Sequence, residues 1–143
     1  MMTLLIKAQK NYLHIIITLS NPRYIFYNVN PLGLREQDCV IRAICLALEK
    51  PYLEIISLVD DNGNKYLCDN LNVDCYSRLL EEYFGLKRKY GNGKKVWEIA
   101  EDNPDKTLII RVDGHLTCAI DQKIYDIWDC TNEIVDVYWI VEK

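Results

Sequence analysis

Residues 39–48 read Cys-Val-Ile-Arg-Ala-Ile-Cys-Leu-Ala-Leu, and Arg42 is the only charge among them. A helix of this composition is apolar nearly all round, so it belongs at the centre of a domain, covered on several sides. Asp38, immediately before it, is a good N-cap, able to accept a hydrogen bond from the free N–H groups of the first turn. Pro51 ends this helix after Lys50 and opens a second, predicted from Tyr52 to Val59 and stopped by Asp60-Asp61-Asn62-Gly63. A third helix is predicted from about Val73 to Phe84, with Asn72 as its cap and Gly85 in the left-handed position that ends it. A short fourth fits Lys94 to Glu101, ahead of Asn103-Pro104.

Working outward, residues 1–22 form an apolar leader, an N-terminal extension or an extra strand, ended by Asn21-Pro22. Lys7, Gln9, Lys10, Asn11 and His14 make it too polar to span a bilayer. Residues 23–143 then read as a single domain. Tyr24 to Asn28 is a short strand and Asn30-Pro31-Leu32-Gly33 a turn. Leu86 to Tyr90 is a second short strand, followed by the tight turn Gly91-Asn92-Gly93. After residue 106 the hydrophobic period drops to two. Thr107–Val112, His115–Ile120, Lys123–Trp128 and Ile134–Val141 read as strands, with Asp113-Gly114 and Asp121-Gln122 as turns. Helices first and a strand meander afterwards imply an α+β fold.

At 143 residues the chain is about one domain, and its net charge of −4 offers no basic footprint for nucleic acid. The cluster Lys87-Arg88-Lys89 with Lys94 and Lys95 reads as a solvated loop. The six cysteines include no CxxC pair, which argues against a zinc ribbon. No cleavable signal peptide is evident, so reduced thiols in a cytoplasmic protein are expected, with no cofactor and no metal. Asp60-Asp61-Asn62-Gly63-Asn64 has calcium-loop residue types but no glutamate at the closing position, and reads as an ordinary turn.

Of the cysteines, Cys39 alone is predicted at a helix N-terminus, where the dipole and unpaired N–H groups favour a thiolate. The chain has two histidines. His14 lies in the apolar leader and reads as structural, whereas His115 begins a strand and sits at a sheet edge. A histidine that serves a cysteine as base needs a third group to hold its tautomer. If Asp121-Gln122 is a two-residue hairpin loop, Ile120 faces Lys123, and His115 then faces Trp128 with Asp126 as its diagonal neighbour. That register favours Asp126 as the orienting acid. A loop with an odd number of residues would instead bring Asp129 opposite His115. Trp128 is placed to shield the pair from water, and Arg42, charged inside an apolar helix, requires a partner.

The order of cysteine at a buried helix start, histidine at a strand start and acid on the next strand resembles papain-like cysteine peptidases and their transglutaminase-like relatives. More closely, "YNVNPLGLREQDCVIRAICLALEKPYLEII" followed by "GHLTCAIDQKIYDIWDC" resembles small papain-like proteins frequent in bacteriophages and Firmicutes. Those proteins have an Asn-Pro turn leading into an Asp-Cys-Val-x-Arg-Ala helix, and a Gly-His strand beside a Tyr-Asp-x-Trp-Asp strand. The resemblance covers about residues 24 to 130. It implies a papain-like fold with Cys39 as nucleophile, His115 as general base and Asp126 as orienting acid. Papain-like enzymes usually carry a glutamine or asparagine several residues before the cysteine as an oxyanion donor. Here Gln37 is only two residues ahead, so Gln37, Asn30 or Asn28 is the candidate. The expected activity is hydrolysis or transfer at an amide or related acyl bond of a protein or peptide substrate, through a thioester. The alternative is a non-catalytic phage or mobile-element protein that keeps the fold to bind a host defence protein.

Overall fold

The computed structural model describes residues 21–35 and 37–142. Apart from Asn21 and Pro22, the leader read as an extension or added strand lies outside the described residues, as does His14. In chain order the elements are β1 (Tyr24–Phe26), α1 (Cys39–Leu48), α2 (Tyr52–Tyr66), α3 (Val73–Arg78) continued by a π-helical turn (Leu79–Tyr83), and β2 (Arg88–Tyr90). They continue with α4 (Val96–Asp102), β3 (Thr107–Val112), β4 (His115–Ile120), β5 (Lys123–Asp126) and β6 (Val135–Val141). The strands form one six-stranded sheet ordered β1-β5-β4-β3-β6-β2. Its pairings are antiparallel except β1 with β5, which is parallel. The fold is therefore α+β.

Alternation along the strands divides the core in two. Ile109, Leu116, Cys118, Val137 and Trp139 face one side, where Ile44 and Ala47 of α1, Ile55 of α2 and Leu80 of the π-helical turn cover them. Leu108, Ile110, Val112, Ala119 and Ile124 face the other, against Val96, Ile99 and Ala100 of α4. Each large aliphatic side chain buried this way contributes about 1.5–3 kcal/mol relative to exposure. The indole N–H of Trp139, within the first core, donates to Glu81 at 2.8 Å, so that buried polar group is satisfied. The expected role of the Cys39–Leu48 helix is met: α1 packs on β4 and α2, and seven of its ten residues are buried.

Two elements differ from expectation. Helix α2 does not stop at Asp60-Asp61-Asn62-Gly63 but runs through it to Tyr66. The acidic pair lies on the solvent face, while Asn62 is buried and donates to the Cys75 carbonyl at 2.9 Å. Gly63 lets the following loop close on the helix, since a Cβ there would stand 3.2 Å from the Cys68 carbonyl oxygen. Turn-forming residue types thus serve packing, and tertiary contacts override local preference. Glycine is equally required at Gly91, where a Cβ would fall 2.2 Å from the carbonyl oxygen of Val135. No helix among the described residues is long and apolar enough to cross a membrane.

The second correction concerns the thiols. Cys68 and Cys75 form a disulfide, against the expectation that every cysteine is reduced. The end of α2 and the start of α3 bring their Cα atoms to 5.6 Å, well inside bridging range, which sequence spacing does not reveal. Cys39, Cys45, Cys118 and Cys130 form no disulfide. By chain entropy a loop this short stabilises the fold by about 2–3 kcal/mol. Cys68→Ser with Cys75→Ser should lower the urea-unfolding free energy by about 2 kcal/mol. Dithiothreitol should lower that of the wild type by a similar amount and leave the double variant unchanged. Equal stability of wild type and variant under oxidising conditions would show that the bridge carries no such weight.

Candidate active site

Cys39 is the first residue of α1 and is half-buried, whereas Cys45, Cys118 and Cys130 are buried. His115 opens β4 directly after Gly114, whose positive φ of 69° turns the chain out of β3. Asp121 and Gln122 both have positive φ, 45° and 68°, as a two-residue hairpin of primed type demands. Ile120 therefore faces Lys123, and the pairing continues through Ala119 with Ile124 and Cys118 with Tyr125. This is the register expected from the sequence. It brings Trp128 beside His115, with ring centroids 5.0 Å apart.

The same register decides between the two acids. Asp126 Oδ2 lies 2.6 Å from His115 Nε2, and its Oδ1 accepts the backbone N–H of Ile127 at 2.7 Å. Asp129 is turned elsewhere: it accepts the N–H of Asn21 at 3.1 Å and the N–H of Thr131 at 3.0 Å, fastening the loop after β5. With Nε2 committed to Asp126, Nδ1 is the nitrogen left for the Cys39 thiol, which lines the same cleft as this imidazole.

Burial pushes the Cys39 thiol up, but its hydrogen bonds to His115 and to the Leu116 backbone, with the charges of His115 and Arg42, bring it below the ordinary thiol range. Burial pushes His115 down, yet its hydrogen bonds to Asp126, Cys130 and Cys39 raise it to about 11. Asp126 is held below the usual carboxylate range because, against the effect of burial, its hydrogen bond and attraction to His115 prevail. The three shifts all act in favour of thiolate, imidazolium and carboxylate. The other shifted thiols move the opposite way: burial drives Cys45 up to about 11 and also raises Cys130.

Behind this row lies a buried polar chain that ties it to the helix mouth. Arg42 pairs with Asp38 one turn earlier and reaches Asp126 Oδ1 at 3.5 Å, so it has the acidic partner its position required. Asp38 does not cap α1 with its side chain. Its carboxylate instead serves Arg42, the Tyr52 hydroxyl at 2.6 Å and the Asn30 amide at 3.1 Å. An arginine fork is the stronger partner, and it removes the carboxylate from the N–H groups it was expected to cap. Asn30, an expected oxyanion donor, is consequently committed to this chain. Gln37 is exposed and does not line the cleft beside Cys39.

That cleft has a volume of about 110 Å³ and is walled by Cys39, His115, Leu71, Asn72, Tyr76 and Arg111 among others. Its other walls come from Leu71 and Asn72 in the loop before α3, Tyr76 in α3 and Arg111 in β3; none sits in a motif, so none reads from the sequence as a site residue. A larger cavity of about 400 Å³ lies between α2 and the π-helical turn, lined by Asn62, Tyr66, Arg78 and neighbours, and includes none of the residues around Cys39. Cys130 also borders the acid, with its thiol 3.6 Å from Asp126 Oδ2. His115, Asp126 and Cys130 each place a ligand atom within 4.8 Å of the others, donor types suited to a soft divalent cation. Such an ion would have to displace the His115–Asp126 hydrogen bond, so metal binding and acid–base work compete for the same atoms. No protein-family model, curated protein or solved structure matches the chain.

Proposed function

We propose that this protein is a papain-like cysteine hydrolase or acyl transferase that acts on an amide or related acyl bond of a protein or peptide. The observation that carries the reading is Cys39 and His115 on one cleft, with Asp126 behind the imidazole at 2.6 Å from Nε2. A cysteine-bearing central helix packed on an antiparallel sheet, with the histidine and acid on adjacent strands, supports the papain-like comparison. Cys39 attacks as a thiolate, Asp126 holds the imidazole with Nδ1 toward sulfur, and His115 protonates the leaving group. Water, activated by the same imidazole, or an amine then resolves the thioester.

A binding role without catalysis is the second reading. Phe26, Tyr27, Leu32 and Leu34 are exposed along a single segment, which favours a protein partner there. Iodoacetamide separates the two. Near neutral pH, peptide mapping should find Cys39 alkylated at least about tenfold faster than Cys45, Cys118 or Cys130, because only its thiolate is favoured and reachable. Alkylation of Cys39 no faster than of the buried three would rule out the nucleophile and leave the binding role.

A further inference from the structure

We propose that the side-chain amide of Asn72 is an oxyanion donor, acting with the backbone N–H of Cys39 on the carbonyl oxygen of the acyl substrate. This rests on Cys39 being the nucleophile. When the thiolate attacks, a C–S bond forms and the carbonyl π pair moves onto oxygen. That charge is stabilised by donors already fixed where the oxygen comes to lie. As the first residue of α1, Cys39 has an N–H with no partner inside the helix, which provides one donor.

A second donor has to come from the walls of the same cleft. The side chains there with N–H or O–H groups include His115, Arg111, Tyr76 and Asn72. His115 is committed to Asp126, Arg111 pairs with Asp136 and donates to the Tyr76 hydroxyl oxygen, and Tyr76 is itself buried. Asn72 differs. It occupies the N-cap position of α3, yet its side chain makes no capping bond to that helix, so the amide stays available to the cleft.

The backbone of the loop that carries Asn72 is tied at several points. Its own N–H donates to the Asp69 carbonyl at 2.9 Å, and the Leu71 N–H donates to Asp69 Oδ1 at 3.0 Å. The Cys68–Cys75 bridge closes the loop on both sides of it. A donor carried on a tied backbone has only its side-chain rotation to fix when the substrate arrives, which limits the reorganisation at the moment of reaction. The donor therefore lies more than thirty residues after the nucleophile instead of just before it, which accounts for the poor fit of Gln37 and Asn30.

Two reagents distinguish this role from the nucleophile itself. p-Nitrophenyl acetate acylates through a tetrahedral oxyanion: the C–S bond forms, the oxygen pair restores the carbonyl, and the C–O bond to p-nitrophenolate breaks with its electron pair. Iodoacetamide alkylates at a saturated carbon, releases iodide and passes through no oxyanion. For Asn72→Ala and Asn72→Gly, acetylation of Cys39 should fall about 10²-fold while its alkylation stays within about twofold of wild type. Glycine is tolerated at an N-cap, so the second variant keeps α3 intact if alanine does not. Wild-type acetylation in both variants, or equal loss with both reagents, overturns the assignment of Asn72 and leaves Cys39 as nucleophile. Wild-type Cys39 that reacts with neither reagent faster than a free thiol overturns the nucleophile and this inference together.

Discussion

His115→Ala should slow acetylation of Cys39 by p-nitrophenyl acetate by about 10²-fold at neutral pH; p-nitrophenolate leaves without a proton, so the loss is that of the thiolate. The thiolate is favoured only because the hydrogen bond and charge of His115 outweigh the burial that pushes the thiol up. Without the imidazole the opposing effect of burial remains, so the Cys39 pKa should move from below the ordinary thiol range to above it. Each unit of that rise removes about tenfold of the thiolate when the pH lies below both values. The wild-type alkylation rate should rise with pH through the lowered thiol pKa and reach its plateau early. In the variant the rise should begin only at alkaline pH. Because His115 is raised to about 11, the wild type keeps its imidazolium throughout the neutral range. Its ability to protonate a leaving group is present below that value and lost as pH climbs through it. The check is a pair of pH–rate profiles followed by mass mapping of Cys39. Superimposable profiles for wild type and variant would remove His115 from the site.

The site was legible in the sequence to the extent that local rules govern it. The Asp121-Gln122 hairpin has a loop length that fixes register, and register is sufficient to choose Asp126 over Asp129 and to seat Trp128 beside His115. The apolar Cys39–Leu48 run likewise indicates a central helix, because a helix apolar on all sides has nowhere else to go. What escaped depends on long-range packing. Asp38 follows N-cap statistics until an arginine one turn on competes for its carboxylate. The Asp-Asp-Asn-Gly stretch follows turn statistics until Asn62 and Gly63 are buried against the Cys68–Cys75 loop. The disulfide and the cleft wall at Asn72 arise from the same docking of α3 on α2. No pattern within either segment records how the two come together.

Arg42→Met should destabilise the fold by about 3–5 kcal/mol, the usual cost of removing one partner from a buried ion pair, and a large share of a typical domain stability of about 5–15 kcal/mol. Arg42 stands between two carboxylates, Asp38 and Asp126, and all three side chains are at least nine-tenths buried. Methionine fills much the same volume but leaves Asp38 without its cation and Asp126 with His115 alone. Arg42→Lys should cost less, since the charge survives, but it should not restore wild-type stability. An ammonium cannot present the planar fork that faces Asp38 with one nitrogen and Asp126 with the other. The pH dependence follows from Asp126. Its pKa is depressed in the fold, so the stability it contributes is present above the ordinary carboxylate range and lost as pH falls through the depressed value. Asp126 keeps the His115 partner that chiefly holds it low, and losing the Arg42 charge 3.5 Å from its Oδ1 removes only part of that depression. The deficit of Arg42→Met relative to wild type should therefore shrink on acidification, and urea titrations at neutral and at acid pH measure it. Adding Asp38→Asn to Arg42→Met removes one of the stranded charges, so the double variant should be more stable than the sum of the single effects by about 0.5–3 kcal/mol. Strict additivity, or a cost below about 1 kcal/mol for Arg42→Met, would mean that the pairing contributes little beyond what a surface ion pair does.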